Sequence, residues 1–177
     1  MLDHIETLQA KKQDRLTQAR LKEVLQYDPE TGAFFQRAVT SSRVRIGDRA
    51  GSDNGSGYRR ISVDGRSYYA HRLAWLYVFG HFPDGELDHK NHNRSSCRIA
   101  DLREATPRQN KANSKARKHN RSGLKGVSKR YHRWRAAIRF NGKSVFLGSF
   151  ATPEAAHAAY CYVAKRLHGE FFCNGKD

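Results

Sequence analysis

Asp88 and His89, adjacent in Leu87-Asp88-His89, and Asn110, in Thr106-Pro107-Arg108-Gln109-Asn110, have the types and spacing to share one reaction. A carboxylate oxygen and an amide carbonyl oxygen give a hard divalent cation partial coordination and leave positions for water and phosphate oxygens. An imidazole beside them can accept a proton near neutral pH. That combination suits hydrolysis of a phosphodiester, with Asp88 and Asn110 as ligands of one Mg2+ or Mn2+ ion and His89 as general base. The competing arrangement is zinc on His89, His92 and Cys97, a spacing that supplies no evident fourth ligand.

The elements around these residues are legible in part. Residues 85–90 suit a brief strand, on which His89 faces away from Asp88 unless the backbone bends. Thr106 and Gln109 form a capping box with Pro107 at the first helical position, which puts Asn110 in the first turn of a helix. Upstream, Thr17 can cap a helix carrying Leu21, Val24 and Leu25, and Asp28-Pro29-Glu30-Thr31-Gly32 turns the chain into a strand at 33–36. Residues 1–16 read as a flexible or helical arm and 40–57 as loops. Asp64-Gly65 marks a hairpin between 58–63 and 66–69. A core helix follows over 70–79, with His71 as a hydrogen-bonded structural residue.

The charge points to a polyanionic partner. The chain has 177 residues and 33 Lys+Arg against 17 Asp+Glu, a net charge of +16, and residues 111–177 hold 15 basic side chains against 3 acidic. Double-stranded DNA is the expected partner. No apolar run approaches the ~18 residues that span a bilayer, and no secretory pattern opens the sequence. Cys97, Cys161 and Cys173 are odd in number and scattered, which suits a reducing cytoplasm (that of a bacterial host, if the gene is a phage's) rather than a disulfide framework.

Across 18–113 the chain resembles the HNH nucleases of the ββα-metal fold, in particular the phage-type group that includes free-standing homing endonucleases. The resemblance rests on Leu21-Lys22-Glu23-Val24-Leu25-x-Tyr27-Asp28-Pro29-Glu30-Thr31-Gly32, Ala70-His71-Arg72-Leu73-Ala74-Trp75, Asp88-His89, Asn93-Arg94, Leu102-Arg103 and Thr106-Pro107-x-x-Asn110. It implies the same ligands and base, with His71 a core position. Where that family reads Asp-Asn-Arg-x-x-Asn-Leu, this chain has Ser96-Cys97-Arg98-Ile99-Ala100-Asp101-Leu102, and His92 replaces a common Gly. Cys97 and Asp101 thus stand in the loop that braces the site. An ionised Asp101 accepts hydrogen bonds but cannot donate them as Asn does.

Beyond a basic linker at 114–121, strands at 125–130, 134–140 and 143–147, the last two joined by Asn141-Gly142, precede a helix opened by Thr152-Pro153 and closed by Gly169. Its expected buried stripe is Ala156, Ala159, Tyr160, Val163 and Leu167. Strand parity turns Trp134, Ala136, Ile138 and Phe140 inward, leaving Arg130, Arg135, Arg139 and Phe146 on a basic outer face that Arg133 can join.

Residues 122–174 resemble the plant APETALA2/ethylene-response-factor DNA-binding domain, through Lys125-Gly126-Val127, Trp134-Arg135-Ala136-x-Ile138, Asn141-Gly142-Lys143 and Leu147-Gly148-x-Phe150. In that family the sheet enters the major groove. The implied DNA contacts are Arg130, Arg135, Arg139 and Phe146, with Arg133, Lys125 and Lys129 beside them.

The expectation is an α+β chain: an N-terminal helix and small β-hairpins, a ββα-metal core, and a three-stranded antiparallel sheet packed on one helix. Its parts are an arm at 1–16, a nuclease domain at 17–113, a linker at 114–121 and a DNA-binding domain at 122–177. The alternative is a DNA-binding regulator with an impaired nuclease half, motivated by Cys97 and Asp101.

Overall fold

The computed structural model describes residues 16–116 and 119–175, so residues 1–15 of the arm expected at 1–16 and the linker residues Arg117 and Lys118 lie outside the described residues. Compactness divides the chain into one unit ending at Glu104 and another beginning at Ala105. As expected, both mix helices with small antiparallel sheets.

In the first unit, Thr17 accepts from the Arg20 amide and opens α1 (Gln18–Val24). Leu25 was expected on this helix, but it begins β1 (Leu25–Tyr27), because its backbone pairs with Gln36 of β2 (Phe34–Gln36). The 28–32 turn works as read: Asp28 accepts from the Glu30 amide, and Gly32 takes the left-handed φ of 72° that favours glycine. A second sheet orders β3 (Ser52–Asp53), β4 (Arg59–Val63) and β5 (Arg66–Tyr69) side by side. The short β3 lies in the stretch read as loop. β5 runs directly into α2 (Ala70–Phe79), which Gly80 ends in the left-handed conformation. Leu21, Val24, Leu25, Phe34, Ile61, Leu73 and Leu76 are fully buried and join these layers into one core. At about 25 cal/mol per Å² of apolar surface, each such side chain contributes roughly 1.5–3 kcal/mol.

The third sheet of this unit pairs β6 (Glu86–His89) with β7 (Leu102–Ala105). Leu102 anchors the core as read, but the strand it starts has too little alternation to show in the sequence.

In the second unit, α3 (Pro107–Ala112) begins at the capping box: Thr106 Oγ1 accepts from the Gln109 amide, and Gln109 Oε1 accepts from the Thr106 amide. The sheet orders β10 (Lys143–Phe150), β9 (Arg133–Phe140) and β8 (Val127–Arg130), with a bulge between Phe146 and Gly148. It packs on α4 (Pro153–His168), which Thr152 caps. The buried stripe of α4 is Ala156, His157, Tyr160 and Ala164, whereas the expected Leu167 is 38% exposed. The stripe admits His157 because its ring bonds the Lys125 carbonyl at 3.0 Å.

Candidate active site

β6 buries three residues in succession, Leu87, Asp88 and His89. Asp88 is 4% exposed, and its Oδ2 accepts from Arg103 Nε at 2.8 Å and Arg103 Nη2 at 2.7 Å. Taking a carboxylate out of water is costly, and the two Arg103 hydrogen bonds offset part of that cost. β7 supplies the partner through its pairing with β6.

His89 closes the strand. Ser96 offers it a carbonyl oxygen, which only accepts, so His89 Nε2 carries the proton and donates across 3.1 Å. The neutral ring then has its lone pair on Nδ1. Burial lowers the His89 pKa, more than the Ser96 hydrogen bond and the Asp88 charge raise it, and Arg94 lowers it further. The imidazole is therefore in its base form near neutral pH.

His71 stands against that ring. Its centroid is 5.2 Å from that of His89, edge to face, and Tyr58 and Tyr69 enclose it at 5.4 and 5.5 Å. Burial, then the His89 charge, pushes the His71 pKa down to about 3. His71 is thus a neutral wall of the site as well as a core residue. The Tyr58 ring, 5.9 Å from that of His89, carries the Arg94 guanidinium over it at 5.4 Å.

The loop from Ser96 to Asp101 is held by other means than the amide pair expected there. Ser96 Oγ donates to Asp101 Oδ2 at 2.7 Å, and the Lys90 amide donates to the Asp101 carbonyl at 2.9 Å. Tyr27 Oη donates to the Cys97 carbonyl at 2.7 Å and accepts from the Ile99 amide at 3.0 Å. Gly32 packs beneath, where a Cβ would lie 2.5 Å from the Arg98 nitrogen. Tyr27, Tyr58, Tyr69, Arg94 and Arg103 were not singled out in the sequence as parts of this site, since their local patterns show strands and loops and not the partners they meet.

The residues of the competing zinc arrangement are not assembled as ligands. Cys97 is buried, with its thiol pKa pushed up to about 11 by burial, and His89 Nε2 is engaged by Ser96. Among the described residues no three His, Cys, Asp or Glu side chains are gathered to hold a metal, which removes the zinc arrangement. An oxygen ligand is present in Asp88. Asn110 sits half-buried in the first turn of α3, in the second unit.

Residues 68–112 match the family model described as HNH endonuclease. A protein of Escherichia phage T7 named Protein 3.8 is 35% identical over 105 residues, covering 57% of this chain and 85% of that protein. The chain carries an HNH endonuclease domain over residues 68–112. Members of this family are DNA-cleaving enzymes, and the matched segment spans β5 to α3, with both Asp88-His89 and Asn110 inside it. An uncharacterized HNH endonuclease, L560, of Acanthamoeba polyphaga mimivirus is 32% identical over 123 residues, covering 68% of this HNH chain and 64% of that protein. No solved structure matches.

The second unit presents a basic face. In register, Arg130 pairs with Arg133, Ser128 with Arg135, Arg139 with Ser144 and Ala137 with Phe146, so these side chains share the side away from the buried Val127, Ala136 and Ile138. Phe146 is 53% exposed and lies 4.8 Å beneath the Arg135 guanidinium. Arg133 donates to the Ser149 carbonyl, and Arg139 to the Gly142 carbonyl. Lys129 pairs with Trp134, on the opposite side, and covers its ring at 5.6 Å. Lys125 is half-buried: its Nζ donates to the Ala112 and Ser114 carbonyls at 2.6 and 2.7 Å and so caps the C-terminal end of α3.

Proposed function

We propose that this chain is a metal-dependent DNA endonuclease of the homing type, hydrolysing phosphodiester bonds with His89 as general base. The supporting observation is the His89 imidazole: buried, neutral, fixed by Ser96 through Nε2 and placed next to a carboxylate. A water aligned on Nδ1 loses its proton to the ring as its oxygen attacks phosphorus. His71 and Tyr58 limit the ring's motion and keep solvent from its flank. Asp88 would hold the divalent cation, Mg2+ or Mn2+, with Asn110 assigned as second ligand on the sequence pattern. When bound, that ion supplies positive charge to the phosphate oxygens.

The second unit serves in this reading as an APETALA2-like reader, with Arg130, Arg133, Arg135, Arg139 and Phe146 toward duplex DNA. Lys129 reaches the DNA only from the sheet edge, and Lys125 acts as a lock on α3. The boundaries proposed for the two domains are 17–113 and 122–177, and the protein works in the cytoplasm. Among the described residues no helix is long and apolar enough to cross a membrane.

Incubation with supercoiled plasmid and Mg2+ or Mn2+ tests the reading. Wild type should nick or cut, and His89→Ala should lose at least ~10²-fold in rate, as expected for a general base, while binding DNA equally well. Tight binding without any cleavage would instead establish the regulator.

A further inference from the structure

The second unit contains a cleft of about 970 Å³, of the size that ligand-binding clefts reach, for which neither the outer sheet face nor the candidate active site accounts. One wall is α3 with the residues that follow it, which bring Arg108, Lys111 and Lys115. The other is β8, the end of β9 and the Asn141-Gly142 turn, which bring Arg139. Half-buried Lys125 and His168 also line it. No Asp or Glu stands among the described residues of the lining, so its charged side chains are all basic.

Bonds within the unit hold this cleft in shape. Arg108 Nη1 donates to Asn141 Oδ1 at 2.6 Å and its guanidinium covers the Phe140 ring at 4.3 Å, which ties the start of α3 to the turn between β9 and β10. Lys125 Nζ ties the end of α3 through the Ala112 and Ser114 carbonyls. The Ala116 amide donates to the Gly175 carbonyl at 3.4 Å, and Ala105, Ala112 and Phe171 form a small core beside the helix. Cations are thus gathered with no acidic neighbour in the lining, and their repulsion is borne by the fold. His168 senses that field: burial, then the Lys125 and Arg108 charges, lowers its pKa. An entering polyanion relieves the repulsion, whereas a neutral ligand does not.

Arg139 and Ser128 belong both to this lining and to the basic outer face of the sheet, so the two surfaces are continuous. We propose that the cleft is a second DNA-binding site, which takes the sugar-phosphate backbone of one strand of the duplex that lies on the sheet. This rests on the DNA-binding reading of the second unit. Lys111 and Lys115 bring ammonium charges to the phosphate oxygens from one wall, and Arg139 brings a guanidinium from the other. Because α3 forms a wall, that strand also meets the helix that carries Asn110.

The test measures binding of a random-sequence duplex to the full chain in EDTA, where nothing is cut, over about 50 to 200 mM salt. Lys111→Gln with Lys115→Gln should lower the slope of log affinity against log salt by about 1.8, the value for two phosphate contacts. Lys165→Gln with Arg166→Gln removes the same charge from exposed positions of α4 outside the cleft, and should leave the slope unchanged. In wild type, duplex should shield Lys111 and Lys115 from acetylation by a succinimidyl ester, read by mass spectrometry, and leave Lys165 reactive. The imidazole NMR signals of His168 should titrate at higher pH with duplex bound than without. An unchanged slope for the Lys111 and Lys115 pair, an equal fall for both pairs, or acetylation of Lys111 and Lys115 as fast with duplex as without overturns the cleft and leaves the DNA-binding reading standing. A wild type that binds no duplex sinks that reading and the cleft together.

Discussion

His71 and Tyr27 carry the clearest consequences at the scale of single residues. The folded pKa of His71 is depressed to about 3, from 6.5 in the unfolded chain. The stability it contributes is complete above about pH 6.5 and is lost as pH falls toward 3, because the unfolded chain takes up a proton that the folded site refuses. Within that window the loss approaches ~1.4 kcal/mol per pH unit, and the lowered His89 pKa adds to it in the same direction. Urea unfolding at pH 7.5 and 5 should therefore show His71→Gln less acid-sensitive than wild type; equal slopes would contradict the linkage. Tyr27→Phe removes a hydroxyl that serves the Cys97 carbonyl and the Ile99 amide, and should cost about 1–3 kcal/mol for backbone groups left unpaired. Since the adjacent Ser96 carbonyl orients His89, cleavage by Tyr27→Phe should also slow, with DNA affinity retained.

At the scale of elements, the chain was legible wherever a signal is local. Asp64-Gly65 and Asn141-Gly142 form two-residue hairpin turns with positive φ at both positions, as their types require. The Thr106 capping box needs only a few consecutive residues. Thr106→Ala should accordingly cost about 1 kcal/mol, measured by denaturant unfolding of the whole chain. Elements defined by distant partners were not legible: β7 exists because β6 lies beside it, and Leu25 leaves α1 because β2 pairs with it. The buried stripe of α4 was placed by spacing alone, and the actual stripe is turned to admit His157, whose acceptor lies 32 residues away in sequence.

For the whole molecule, the net charge of +16 makes any binding to DNA sensitive to salt. If Arg130, Arg133, Arg135 and Arg139 each meet a phosphate, every Arg→Ala change should reduce the slope of log affinity against log salt by about 0.9. Affinity titrations between 50 and 200 mM salt on random-sequence duplex measure it, and an unchanged slope would place DNA elsewhere. The types of the candidate site residues, Asp88 and His89, the turn chemistry, the helix starts and the net charge were all determined by the sequence, since each depends on side-chain identity or on near neighbours. Only the tertiary structure decided that Arg103 is spent on Asp88, that His71 leans on His89, and that Tyr27 braces the Cys97 loop in place of an amide. Those pairings join residues up to 72 positions apart. Burial and hydrogen-bond partners over such separations follow from how the layers pack, a property no local pattern encodes. The Asp-His pair thus suggests a chemistry in two letters, while the lowered pKa of His89 and the supports of both side chains belong to the fold.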